Sequence, residues 1–126
     1  MADDSLAEVV RLSVPASLEY LRIVRLTVSG VASRLGFDVD TIENLRIAVD
    51  ELASTVVDTD IGGVLELSFS GANGGFHMEG HAPLDPGTHV AVDDLSAQIL
   101  KAVCDDYDLR VSDDTAYFSC TRQLND

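Results

Sequence analysis

Apolar residues recur along this chain at two spacings. From Leu18 they fall three or four apart, at Leu21, Val24, Val28, Val31, Ala32 and Leu35. That period predicts one face of a helix, capped by Ser17 and ended by Gly36. Before it, Ala7 to Val14 reads as a strand closed by Pro15, since proline cannot continue a ladder. A second helix starts at Asp38 or Asp40 and runs to about Val57, with Ile42, Leu45, Val49, Leu52 and Val56 as its buried seam.

After the glycines at 62–63 the period changes to two. Leu65, Leu67 and Phe69 point one way, Glu66 and Ser68 the other. "GANGG" at 71–75 predicts a hairpin loop, because Asn and Gly tolerate positive φ; Phe76 and Met78 continue the apolar face on the return strand. Residues 82–92 read as irregular. Asp93 caps a third helix to about Cys104, with Leu95, Ile99, Ala102 and Val103 facing inward. Two strands close the chain, near Tyr107–Ser112 and Thr115–Arg122, turned at Asp113 and Asp114. The order is βααββαββ. Hairpins with amphipathic helices predict a two-layer α+β domain: a mixed, mainly antiparallel sheet with helices on one face. The 126 residues fit one domain, 1–126, and 46% hydrophobic residues suffice for a core.

Charge narrows the function classes. The formal net charge is −14, and residues 47–126 hold 3 basic against 15 acidic side chains. Nucleic acid and anionic membranes are therefore not expected as partners; a basic protein surface is the compatible one. Cys104 and Cys120 lack metal spacing and read as small core residues of a reducing compartment. The start, "MADDSLAEVV", lacks the basic segment and apolar run of a signal peptide. The expected location is the cytoplasm.

The candidate chemistry lies in "NLRIAVDELASTVVDT", residues 44–59. Ile47, Glu51, Ser54, Thr55 and Asp58 share a face opposite the seam. That face is either a general base near a metal or the wet side of a packing helix. His77, His81 and His89 stand at multiples of four, with Asp85 between. Glycines and prolines preclude a helix there, and in a strand His77 and His81 lie about 13 Å apart, so no metal site is expected. No phosphate-binding glycine motif and no nucleophile elbow is present.

Residues 14–57, "VPASLEYLRIVRLTVSGVASRLGFDVDTIENLRIAVDELASTVV", resemble the front half of the anti-sigma-factor serine-protein kinases, members of the GHKL (histidine-kinase-like) ATPase superfamily. "LSAQILKAVCDDYDLRV", 95–111, is similar to that family's last helix and penultimate strand. The resemblance implies the GHKL fold and a catalytic base at Glu51. It puts Thr55 where the family has a magnesium-binding Asn. Gly80, Ala82 and Leu84 stand where it has the Asp and glycines of its adenine box, with Asp85 as a substitute if the loop shifts. Asp114 replaces the glycine of the final glycine-threonine turn, and Thr115 matches. The boxes thus read as a remnant nucleotide pocket.

Two readings follow. In one, the chain is an anti-sigma-factor-like regulator that binds a sigma factor or an anti-anti-sigma (STAS-type) protein, needs no cofactor, and forms the homodimer that the family implies through its front face. In the other, it is an active Mg-ATP-dependent serine-protein kinase acting on an anti-anti-sigma partner. An acidic domain without such partners is a third, blander reading.

Overall fold

A computed structural model describes residues 8–57, 62–72 and 74–124. The elements are β1 (Val9–Pro15), a short 3-10 turn (Leu18–Tyr20), α1 (Leu21–Arg34), α2 (Val39–Val56), β2 (Val64–Ala72), β3 (Gly75–Pro83), α3 (Asp94–Val103), β4 (Asp106–Ser112) and β5 (Thr115–Gln123). The βααββαββ order agrees with the apolar pattern; Ala7, expected to open the first strand, lies outside the described residues. The strands form one sheet in the order β1-β2-β3-β5-β4.

All four neighbouring pairs are antiparallel, in line with the mixed, mainly antiparallel sheet that the pattern predicted, but without a parallel pair. The reason is the place of β5. β3 and β4, joined through α3, run in the same direction, since both are antiparallel to β5. β5 then inserts between them, so the two parallel strands never share a ladder. The turn between β2 and β3 is tighter than "GANGG" suggested. Gly71 and Ala72 pair with Phe76 and Gly75, leaving residues 73–74 as the connection, with Gly74 at φ 74°; Asn73 lies outside the described residues. At the β4–β5 turn both Asp113 and Asp114 have positive φ, 52° and 58°. That is the type I′ geometry that matches strand twist, and Asp tolerates it better than most residues.

The helices cover one face of the sheet. Leu65, Leu67, Phe69, Phe76, Met78, Ala116, Phe118 and Cys120 rise from the strands to meet them. α1 contributes Leu21, Val24, Val28 and Ala32, and α2 contributes Leu45, Ala48, Val49, Leu52, Ala53 and Val56. Asp38 caps α2 by accepting from the Thr41 N–H at 2.8 Å. Cys104 and Cys120 are buried free thiols. Burial pushes the Cys104 thiol up to about 11 and raises Cys120 as well, so neither supplies a reactive thiolate near neutral pH.

Two expectations fail in register. Leu18 is 53% exposed: the chain makes a 3-10 turn there before α1 begins, and Ser17 caps that turn without a side-chain hydrogen bond. In α3, Leu95 is 67% exposed and Ala102 also faces solvent. The inward stripe is Ser96, Ile99, Leu100 and Val103, spaced as one helix face requires. It begins with a polar residue, so the apolar pattern alone placed Leu95 in the position that Ser96 holds. Truncating Leu100 to Ala should therefore cost about 2–5 kcal/mol of unfolding free energy, whereas Leu95→Ala should stay within about 0.5 kcal/mol. Urea titration of both variants measures the difference; a costlier Leu95→Ala would mean α3 is rotated from this register.

Candidate functional site

The outer flank of α2 carries Asp50, Glu51, Ser54 and Thr55, all half-buried. Groups at that depth lose water and need partners, and each has one. Asp50 Oδ1 accepts from Arg25 Nη1 on α1 at 2.6 Å. Glu51 Oε1 accepts from the Ser96 hydroxyl on α3 at 2.7 Å. Ser54 and Thr55 turn their hydroxyls back onto the Glu51 carbonyl, at 3.3 and 2.8 Å, a local bond that competes with outward contacts. Asp58, the last residue of the predicted polar face, lies outside the described residues. The Asp50–Arg25 pair is more than a third exposed at both ends, so screening holds its contribution to about 1 kcal/mol or less. The Glu51–Ser96 bond is the more consequential contact, because it joins the middle of α2 to the first turn of α3.

The second part of the site is the exit of β3. Gly80 and Phe118 are cross-strand partners, and the Phe118 ring occupies the space above Gly80. A Cβ added there would lie 2.4 Å from Phe118 Cζ, so no larger residue fits unless the ring moves. Ala82 and Leu84 are buried. Leu84 donates its N–H to the Asp114 carbonyl at 2.8 Å, and Pro83 pairs with Thr115. These bonds pin the exit to the β4–β5 turn, where the Thr115 hydroxyl reaches the Asp113 carbonyl at 3.4 Å. Asp85 is exposed and opens a tight turn, closed by Thr88 N–H to the Asp85 carbonyl at 3.0 Å; Gly87 supplies the positive φ, 81°, that this turn needs.

Gly80, Ala82, Leu84 and Thr115 are thus brought together on neighbouring strands. Glu51 and Thr55 stand on α2, which packs against β3, β5 and α3. The histidines lie elsewhere. His77 sits 3.0 Å from Thr121 Oγ1 and 2.9 Å from Glu79 Oε2. His81 packs against Tyr117, and His89 is exposed in the segment before α3. Four participants were not singled out from the sequence: Arg25, Ser96, Phe118 and the Leu84 N–H. Of these only Ser96 had a signal, since a polar residue on the inward stripe of a helix asks for a partner.

No family model matches the chain. It is 50% identical over 64 residues to serine-protein kinase RsbW of Halalkalibacterium halodurans, across 49% of this chain and 40% of that protein. It is 51% identical over 51 residues to serine-protein kinase RsbW of Bacillus subtilis, across 40% of this chain and 32% of that protein. In fold it is similar to a crystal structure of the RsbU and RsbW domains of a Mycobacterium tuberculosis protein, with a TM-score of 0.71 and 14% identity, over 94% of this chain and 33% of that one. The matched region spans two fifths or less of each of these relatives. The resemblance read from residues 14–57 is thereby shown, and the fold is of the GHKL kind.

The Glu51–Ser96 contact is measurable by a double-mutant cycle. Glu51→Ala and Ser96→Ala should each destabilise by about 1–2 kcal/mol, with a coupling of about 1 kcal/mol. Glu51→Gln keeps an acceptor oxygen and should lose less. Additive single effects in denaturant titrations would mean that the bond is not formed in solution.

Proposed function

We propose that this chain, a relative of the RsbW serine-protein kinases, is an anti-sigma-factor-type regulator that works in the cytoplasm by protein contacts and without a nucleotide. The partners of this reading are a sigma factor and/or an anti-anti-sigma (STAS-type) protein, and its expected assembly is a homodimer through the front face. The observation that carries it is the β3 exit. A desolvated adenine needs a matched donor and acceptor, or it loses more hydrogen bonds than it gains. Gly80, Ala82 and Leu84 offer no polar side chain there, Phe118 fills the space above Gly80, and the Leu84 N–H is already given to Asp114. These residues do not fit Mg-ATP, and no step of the mechanism passes through it.

One feature favours the kinase reading: Glu51 is a carboxylate where the resemblance implies a base, and the relatives are named serine-protein kinases. In this structure, however, Glu51 already accepts a hydrogen bond from the chain's own Ser96. A target serine would have to displace that hydroxyl first.

Thermal melting with Mg-ATP separates the two readings. A ligand at a hundredfold excess over its Kd adds about 2.7 kcal/mol to stability. We expect no shift in Tm at millimolar Mg-ATP; a clear rise would favour the kinase.

The partner side is tested by kinetics. The acidic chain should meet a basic surface on a sigma factor, with an on-rate that falls as salt shortens the Debye length from about 10 Å at 0.1 M to about 3 Å at 1 M. Stopped-flow association with a candidate sigma factor measures this, and a salt-independent on-rate would remove charge from the explanation.

A further inference from the structure

The two end strands of the sheet differ in charge. β4 carries Asp106, Asp108 and Arg110, the kind of charge that keeps an edge unpaired. β1, with the sequence VVRLSVP, carries a single charged residue, Arg11, and has β2 as its one neighbour. Every second residue of such an edge turns its N–H and C=O away from the sheet. Val10, Leu12 and Val14 form the row of β1 that faces the helices, since their cross-strand partners Phe69, Leu67 and Leu65 belong to the core. Phe69 is fully buried, yet Val10 beside it is 44% exposed. The core-facing row thus runs out into water at this edge, and apolar surface left in water favours a cover. On the other face Arg11 and Ser13 are exposed, and the Ser13 hydroxyl donates to Glu66 Oε1 on β2 at 2.8 Å. α1 borders the same edge: Arg34, its last residue, reaches Glu8, just before β1, at 3.3 Å. Ile23, Thr27 and Gly30 share that flank of the helix, and Ile23 is 42% exposed.

We propose that β1 pairs with β1 of a second copy of this chain, antiparallel about a twofold axis at Leu12, so that two sheets join into one. Register selects this occupant. A pairing that keeps both helix layers on one side must set helix-side residues against helix-side residues. Centred on Leu12, it uses the whole strand: Val10 meets the second copy's Val14, Leu12 meets Leu12, Arg11 meets Ser13 and Val9 meets Pro15. The apolar row then continues across the joint and covers Val10. Moving the axis to Arg11 would set arginine against arginine, which destabilises a ladder. In the Leu12 register Arg11 instead lies beside the second copy's Ser13 and two strand spacings, about 10 Å between Cα atoms, from its Glu66. The two long side chains close that gap, and the twofold makes the contact twice. The second copy's α1 comes alongside through the flank of Ile23 and Thr27, where Gly30 leaves open space. A foreign strand would gain the same backbone bonds, but it would have to bring an apolar row and a carboxylate in this order; the chain itself supplies both. The inference names the surface of the homodimer in the proposed function, and it rests on that reading only for the expectation of an assembly.

The test is sedimentation velocity of the full chain over a range of concentrations. It is run without nucleotide or sigma factor, so its outcome is separate from those of the Mg-ATP and association experiments. We expect a dimer. Val10→Lys puts a charge into the apolar row and should raise the dissociation constant by about tenfold or more. Arg11→Glu sets acid against acid at both contacts, and Glu66→Arg sets base against base; each alone should weaken the dimer by about tenfold. Mixed in equal amounts, these two variants should pair with each other about as tightly as the native chain does, because both contacts then again hold one acid and one base. Lys101→Glu makes the same change in net charge as Arg11→Glu on α3, away from the edge, and should stay within about twofold. Thermal melts establish that each variant is folded; if Val10→Lys is not, the mixing experiment decides. The proposal fails if the native chain stays monomeric at the highest concentration, or if Val10→Lys and the charge variants leave a dimer intact. It fails equally if the mixed variants associate no more tightly than either alone, or if Lys101→Glu weakens the dimer as much as Arg11→Glu, which would reduce the effect to net charge.

Discussion

The structure depends on one constraint: a sheet with a single covered face needs a helix that can fill its centre. α2 meets it with six buried residues, two of them alanines. Ala48 and Ala53 let the helix approach closely, while Leu45, Val49, Leu52 and Val56 fill the space between the sheet and its neighbours. α1 and α3 then pack against α2 more than against the strands. Each helix needs α2 to bury its apolar stripe, so the geometry of everything around α2 follows from how that helix sits.

The cost of that central position falls on the polar flank of α2. Asp50, Glu51, Ser54 and Thr55 are too deep for full hydration and too shallow to be excluded from water. They find partners within the chain: Arg25 on one side, Ser96 on the other, and the Glu51 carbonyl for both hydroxyls. Among the described residues no charged side chain is fully buried, and these contacts are how the flank avoids that penalty. Glu51 thereby acquires a structural role, holding α3 on α2, which would retain a carboxylate at this position with or without catalysis.

Most of the fold was legible in the apolar pattern because the period of a helix and the alternation of a strand report which face is buried, and burial dominates the energetics. The seam of α2 and the inward faces of β2 and β3 were read correctly on that basis. The failures have physical causes. α3 was rotated because its inward stripe begins with Ser96, whose partner is Glu51, 45 positions away in sequence. The mainly antiparallel character of the sheet was legible, but the absence of any parallel pair was not, because pattern gives strands and not their lateral order, and the insertion of β5 between β3 and β4 is a tertiary fact. In the site, the positions at 80–85 could be aligned by resemblance, but the Phe118 ring above Gly80 is visible only once β3 and β5 pair.

The acidity bears on the site and on the edge in different ways. Asp113 and Asp114 flank the β3 exit, and Asp85 follows it. In a water-like dielectric, a carboxylate about 6 Å from a phosphate costs about 0.7 kcal/mol, and several such terms add. A polyphosphate placed there would meet this repulsion without the side-chain contacts that offset it elsewhere. The same carboxylates are favourable to a cationic group, and those on β4 stand along a strand with a free backbone edge. The β3 exit and the β4 edge therefore share an acidic surround. The β4–β5 turn belongs to both: its Asp114 carbonyl closes the β3 exit through the Leu84 N–H, while its side chains line the cleft beside β4.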